Sequence, residues 1–576
     1  MNPHRGNELL LKVRATPVRY IATARNQTPR GLEVLDALGR VWTEIPQIME
    51  LGALEMFLSH VREAVAPTSP REWQLDADFA YSSLSALSAS GMWKLLEHAN
   101  NLPAINCIVL DGLPGIIKWS QYIYDLTEAP RFYMLILVFR VLSSMPQVAA
   151  AMVEAPGCVQ LITKLWALED IPKNLADTVP TTATAILVAL LTYSVTSGKI
   201  DDFLQRFIEA SGGDAQFLMR FILRRIKKAT RKLEIDAELA SLSEHINLVI
   251  GLCAQNPHRL CRALLDEGGL VVMTSTLGAL PNPVGRDVSG SAIIKLFVAC
   301  IIFFSSLISV SDYLSILRAV KAGFMDAFIE ACPAFLRLER GLTDVAMAIV
   351  RDLLPPYCLY RSFAMQMIPF VERFKSSPVY AGLRELPIIK AAFAPLFTAL
   401  NRRLPALQDE GHGRRCLNCQ RVDVQKMFKQ CTACQVAYYC STECQRSEWK
   451  SSHRQLCRDL SLCNQLGGSG TKRDWNSMRF FAEWTADCNF ETFRAIAERD
   501  FPDTPREELV PHIDFSCVPE AYSVLSVKDP KIQNLVDNPI FRARSECGPI
   551  VGYTRKNGAE AEDMWGCARR ENFWND

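Results

Sequence analysis

Seven of the chain's 19 cysteines fall between Cys416 and Cys457, and no other feature limits what can fold here so strongly. With His453 they follow the pattern C-x2-C-x11-C-x2-C-x5-C-x3-C-x8-H-x3-C: Cys416, Cys419, Cys431, Cys434, Cys440, Cys444, His453 and Cys457. A C-x2-C knuckle turns tightly enough to bring two thiolates to the roughly 2.3 Å zinc–sulfur distance on one metal. C-x3-C and H-x3-C put two ligands on one side of a helical turn. Eight ligands fill two tetrahedral sites, so two Zn2+ ions per chain are expected, with no position left for water or substrate. The role is structural. The segment has few apolar residues of its own, mainly Met427, Phe428, Val436, Tyr438, Tyr439, Trp449 and Leu456. Units this small need metals or crosslinks, and structural zinc supplies on the order of 10–16 kcal/mol in small fingers.

The other twelve cysteines are spread thinly, and the odd total argues against a disulfide framework. A reducing compartment, cytoplasmic or nuclear, is expected. Cys107, Cys300 and Cys332 sit in apolar helical contexts and read as core residues. With 576 residues, 49% of them hydrophobic, the chain can bury sizeable cores, which excludes disorder over most of its length. Sixty-three basic against 62 acidic side chains exclude a globally basic nucleic-acid binder, so no direct nucleic-acid contact is expected. Met1 to Glu8 lacks the basic stretch and apolar run of a secretory signal. Thr178–Gly198 is diluted by Thr, Ser and Pro180, and Leu296–Ser311 has only 16 residues. Both read as buried helices, short of the roughly 20 apolar residues a membrane span needs.

Upstream of the cysteine cluster a short phrase recurs: two apolar residues, usually an acidic one, a small residue, Gly, then an apolar run. Its glycines are Gly52, Gly112, Gly157, Gly212, Gly268 and Gly323, at steps of 60, 45, 55, 56 and 55. The sense is a helix that stops at glycine and is followed at once by another helix. Similar starts around Pro146, Pro257 and Ser311 precede three of the copies. The pattern resembles armadillo or HEAT-type repeats, with longer steps than those families use; an irregular all-helical domain with glycine stops is the alternative. The basic run Arg224–Lys232 shares its helix with apolar Leu218, Ile222 and Ile226. It is expected to be a solvated face, with a nuclear import signal or an acidic-partner contact as the other reading.

In order and gaps the cysteine cluster resembles the MYND-type zinc finger, including Tyr438-Tyr439-Cys440-Ser441, Cys444-Gln445, Trp449 and the closing His453-x-x-x-Cys457. That resemblance implies a cross-brace, with Cys416, Cys419, Cys440 and Cys444 on one zinc and Cys431, Cys434, His453 and Cys457 on the other. It also implies a protein-interaction module that takes short proline-containing peptides on a shallow surface. Gln445 and Trp449 match the positions that bind the peptide in that family. At i,i+4 on a helix they offer an amide beside an indole; packing of Trp449 against the zinc core is the alternative role.

Flexible-looking segments, Gln408–Gly413 and Leu466–Thr471, bracket the finger as hinges. The tail opens with a helix-like stretch to Arg499. Val510–Val527 has room for one or two strands, and Lys556-Asn-Gly558 is a turn signal. The expected fold class is mostly α: an armadillo/HEAT-like array over 1–405, a two-zinc cross-brace finger over 414–459, and a small mixed or helical region over 472–576. Asp514-Phe-Ser516-Cys517-Val-Pro519-Glu520 is faintly similar to the Asn-His-Ser-Cys-x-Pro-Asn stretch of SET-domain lysine methyltransferases, some of which carry MYND fingers. The two Asn, the His, a following Gly-Glu-Glu-Leu and the Cys-x-Cys tail are missing. The expectation is a non-enzymatic scaffold whose finger and helical groove bind proteins or peptides, with no membrane contact. A SET-like methyltransferase and a nuclear transcriptional co-regulator are the alternatives.

Overall fold

The computed structural model describes residues 3–42, 52–62, 75–88, 102–126, 129–168, 183–233, 236–253, 259–281, 290–408, 414–419, 421–423, 428–433, 437–454, 457, 472–530, 550–557 and 560–567. These residues are mostly helical, and the chain forms two compact units, Met1–Glu267 and Gly268–Asp576.

In the first unit a set of three helices recurs. Pro146–Glu154 and Cys158–Ala167 precede the longer Ala183–Thr196; Ile200–Ala210 and Ala215–Thr230 precede Asp236–Leu252. Local chemistry sets each boundary. Pro146 occupies a first turn, where its missing N–H costs nothing. Gly157 adopts φ 77°, a left-handed conformation that strains any residue with a Cβ. Asp214 caps the next helix by accepting from the Gln216 N–H at 2.8 Å. In Ile200–Ala210 the buried Phe203, Leu204, Phe207 and Ile208 form one stripe, while Asp201 and Asp202 sit in the first turn, where the helix dipole favours acids. The two longer helices pack on each other.

The second unit continues the pattern with Gly269–Ala279, Gly290–Ile308, Tyr313–Lys321, Phe324–Phe335 and Arg340–Ala348. Asp312 caps Tyr313–Lys321 by accepting from the Ser315 N–H at 2.8 Å, and Gly323 takes φ 94°. The short first helices begin at Pro146, Ile200, Arg259 and Tyr313, steps of 54, 59 and 54 residues. That regularity matches a helical repeat array. After it come Arg361–Ser376, a strap made of Pro378–Tyr380 and Ala381–Arg384, and the long Pro387–Gln408.

Three expectations change. Gly112 ends no helix but lies inside Leu102–Leu126. A Cβ there would meet Leu58 Cδ2 at 3.0 Å, so this glycine serves close packing against Ala53–Ser59. Cys107 is exposed, whereas Cys300 and Cys332 are fully buried, burial pushing the Cys300 thiol up to about 12 and the Cys332 thiol higher still. The run Arg224–Lys232 is not uniformly solvated. Arg225 is buried, donating to the Trp166 carbonyl at 2.7 Å, its guanidinium 4.6 Å from the Trp166 ring centroid and 4.5 Å from that of Phe221. Pro257 lies outside the described residues.

Both apolar stretches weighed as spans form interior helices, Ala183–Thr196 and Gly290–Ile308. Among the described residues no single helix is long and apolar enough to cross a membrane; one pair, Arg131–Ser143 with Pro146–Glu154, passes on length and composition but is bent by 116°.

Two short antiparallel hairpins follow: β1 (Arg414–Arg415) with β2 (Val422–Asp423), and β3 (Lys429–Gln430) with β4 (Tyr438–Tyr439). The tail begins with helices Lys472–Cys488 and Phe490–Asp500. It closes with strands β5 (Leu509–Asp514), β6 (Ala521–Ser526), β7 (Ile550–Asn557) and β8 (Glu560–Cys567) in the order β6-β5-β7-β8. β5 pairs with β7 in parallel, His512 opposite Gly552, while the outer pairs are antiparallel. The tail packs on the helices before the finger: Lys472–Cys488 lies against Arg361–Ser376 and Pro387–Gln408. Buried Asp474 accepts from the Ser362 N–H at 2.6 Å and from the Ser362 and Tyr313 hydroxyls at 3.1 Å each. Arg402 donates to the nearly buried Glu520 at 2.6 Å.

Candidate metal centre

The hairpins and the helix after them assemble the cysteine cluster. Cys416 follows β1, and its N–H donates to the Arg421 carbonyl at 2.9 Å, closing the first knuckle. Cys431 follows β3 and donates in the same way to Ala437 at 2.9 Å. The Leu417 N–H reaches the Tyr438 carbonyl at 2.9 Å, tying the first knuckle to the second hairpin. Beyond β4, Ser441 caps the helix Thr442–Glu448, its hydroxyl accepting from the Cys444 N–H at 3.2 Å. The helix then widens into a π-turn over Trp449–His453, a form that recurs at functional sites.

Two ligand groups result. Cys416, Cys419, Cys440 and Cys444 bring their sulfurs within 4.8 Å of one another, and so do the ligand atoms of Cys431, His453 and Cys457. Cys434 lies outside the described residues. The Cys419–Cys440, Cys440–Cys444 and Cys431–Cys457 sulfur separations are 3.4, 3.5 and 3.7 Å. A tetrahedron of sulfurs about 2.3 Å from zinc has edges of about 3.8 Å. Disulfide sulfurs stand about 2.05 Å apart. The spacing therefore suits coordination.

The electrostatics favour a cation. Burial works against the Cys416 thiolate, but the backbone N–H groups of Cys419, Cys440 and Asn418 outweigh it and bring its pKa to about 6. Cys440 moves the other way, to about 12, through its contacts with Cys419 and Cys444. Neighbouring sulfurs cannot all ionise without a positive charge between them, and a dication supplies it. Burial lowers the pKa of His453, partly offset by Glu448, and so favours the neutral imidazole a metal requires. Zinc fits this all-sulfur and sulfur–imidazole donor set.

Among the described residues the finger has little core apart from the ligands. Cys416, Cys431 and Cys457 are buried with Ala437 and Tyr439, flanked by Leu417 and Phe428. Tyr439 sets its ring edge-on to His453, centroids 5.8 Å apart, a supporting contact that the ligand spacing alone does not disclose. Gln445 is half-buried and Trp449 is 39% exposed. The Trp449 N–H is shared among the carbonyls of Arg446, Gln445 and Ser447 at the helix end, and the i,i+4 spacing places the Gln445 and Trp449 side chains on one side of the turn. The indole also lies 5.7 Å from the His453 ring. One part of Trp449 thus rests on a metal ligand while the rest faces outward. The expected hinges fall largely outside the described residues, which omit 409–413 and 458–471.

Residues 416–457 match the family pattern of the MYND finger. The chain carries a zinc finger of this type, behind a helical repeat array. It is also similar to the histone-lysine N-methyltransferase ASHR1 of Arabidopsis thaliana, 45% identical over 47 residues. That match covers 8% of this chain and only 9% of the relative's length. No solved structure matches the chain.

Proposed function

We propose that the protein is a non-enzymatic interaction scaffold, cytoplasmic or nuclear, holding two zinc ions per chain. Its finger takes a short proline-containing peptide between Gln445 and Trp449, and its helical repeats hold a second partner. MYND fingers as a class mediate protein–protein contacts, and the observation that carries the reading is the outward-facing Trp449 one turn beyond Gln445. An indole presents a flat face to a proline ring, and an amide satisfies the peptide backbone beside it. The first set is closed by four cysteines, and with Cys434 as the fourth ligand of the second, as its spacing predicts, neither zinc ion keeps an open position for chemistry. Two modest contacts on one chain reinforce each other through effective concentration.

The test is binding of zinc-loaded protein to an array of proline-containing peptides, with Gln445→Ala/Trp449→Ala alongside. At least tenfold weaker binding by the double variant, at unchanged zinc content, supports the reading. Undiminished binding would move the peptide role away from the finger. Retention of S-adenosylmethionine in equilibrium dialysis would instead favour the methyltransferase alternative.

A further inference from the structure

A cavity of about 590 Å³ opens among the second-unit repeats, within the size range of ligand and anchor pockets. Its walls come from Gly269–Ala279, Gly290–Ile308 and Phe324–Phe335, and its lip from the strap Pro378–Arg384. Small residues make the space: Gly278, Ala327, Ala331, Ala334 and Gly382 all line it. A Cβ built at Gly382 meets nothing within 4 Å. The strap is fixed, because Arg384 donates to the carbonyls of Phe374 and Ser377 at 2.7 Å each. It holds Val379 at the lip with 81% of its surface in water, where it adds apolar contact area beside the cavity for any group that enters it.

The rim carries a charge. Asp326 is paired with Arg373 at 2.9 Å, but Glu330, one turn further along the same helix, is exposed and makes no ion pair among the described residues. Burial, then the carboxylates of Glu330 and Asp326, push the Tyr380 hydroxyl upward, with Arg373 opposing. We propose that this groove docks a partner peptide that places clustered aliphatic or aromatic anchors in the cavity and a lysine or arginine against Glu330. This names the site and chemistry of the second partner in the scaffold reading and rests on that reading.

The experiment uses the full zinc-loaded chain and an array of 12-residue peptides on helical and extended backbones. Each carries Leu or Phe anchors, or none, with Lys, neutral or Glu flanks. The expected result is selective binding of the anchored, Lys-flanked peptides. Gly382→Phe, which fills the cavity from an exposed position, should weaken it at least tenfold. Glu330→Lys should invert the flank preference, and unchanged thermal unfolding confirms that both variants fold. Binding indifferent to both variants, or equal for peptides without anchors, overturns the proposal. Loss with Trp449→Ala but not with Gly382→Phe would also overturn it while leaving the finger reading intact. Self-association on sedimentation that Gly382→Phe abolishes would make a second copy the occupant and overturn it too.

Discussion

Replacing Asp474 tests whether the tail and the last repeats behave as one body. Its carboxylate is fully buried; one oxygen accepts from the Ser362 N–H at 2.6 Å and the other from the Ser362 and Tyr313 hydroxyls at 3.1 Å. Ser362 lies in the first turn of Arg361–Ser376, where unsatisfied N–H groups and the helix dipole both favour an anion. The Tyr313 ring is stacked on Tyr360 at a centroid distance of 3.8 Å, so its hydroxyl is not free to seek another acceptor. Hydrogen bonds to a charged group are worth about 1.5–3 kcal/mol each. Their sum overstates the loss, because removing the carboxylate also removes the cost of burying its charge. A net destabilisation of about 3–4 kcal/mol is expected for Asp474→Ala, from three buried neutral donors left unsatisfied at about 1–3 kcal/mol each, less the relieved cost of burying the charge. Asp474→Asn should cost less, since its amide oxygen can still face the Ser362 N–H. Two compact units make a single melting curve hard to interpret, so the assay is native-state hydrogen exchange. Amides of Arg361–Ser376, Lys472–Cys488 and β7 should open roughly 10²- to 10³-fold more often in the alanine variant. Acceleration no larger than that from the exposed Glu491→Ala would refute the reasoning.

Two further outcomes follow from the geometry. Removing metal with a strong chelator should release about two zinc ions per chain, read with a chromogenic zinc indicator. It should abolish order in the finger while leaving the helical circular dichroism nearly unchanged, and fewer than two ions would contradict the paired sites. In the first unit, Arg225→Lys should lower the opening free energy of Ala215–Thr230, read by native-state hydrogen exchange, by about 2 kcal/mol, because an ammonium cannot keep both the ring contacts and the bond to Trp166. Lys227→Ala on the exposed face should stay within about 0.5 kcal/mol, and equal effects of the two would show that Arg225 is not a core residue.

What could be read from the sequence was what local chemistry decides. Knuckle spacing and the i,i+4 ligand pairs are properties of one turn, so the ligands could be named without a fold. Gly157 and Gly323 were likewise legible, since a positive φ is a local demand. Gly112 shows the limit: its reason is Leu58 on another helix, which no neighbouring residue announces. Asp474 reaches Ser362, 112 positions earlier, and the parallel register of His512 with Gly552 joins strands separated by a long connection. Those demands are tertiary: the tail's helical start, the strands within Val510–Val527 and the turn signal at Lys556-Asn-Gly558 were legible, whereas how these elements pair and pack was not. The groove was hidden likewise, its walls running from Leu277 to Leu383.

The order of ligands along the chain has a consequence for function. Cys416 and Cys419 skip the second knuckle to meet Cys440 and Cys444, while Cys431 waits for His453 and Cys457. Each cluster therefore closes a loop that contains part of the other, and neither completes without fixing most of the finger. Trp449 lies between the two late pairs, after Cys444 of one cluster and before His453 of the other, and leans on the His453 ring. Its outward pose depends on both clusters at once. With little apolar core among the described residues to hold that pose in their absence, the metal ions are expected to decide whether the Gln445–Trp449 surface forms. On the proposed reading, peptide capture is a property of the doubly loaded state, and a finger deprived of either ion should lose it.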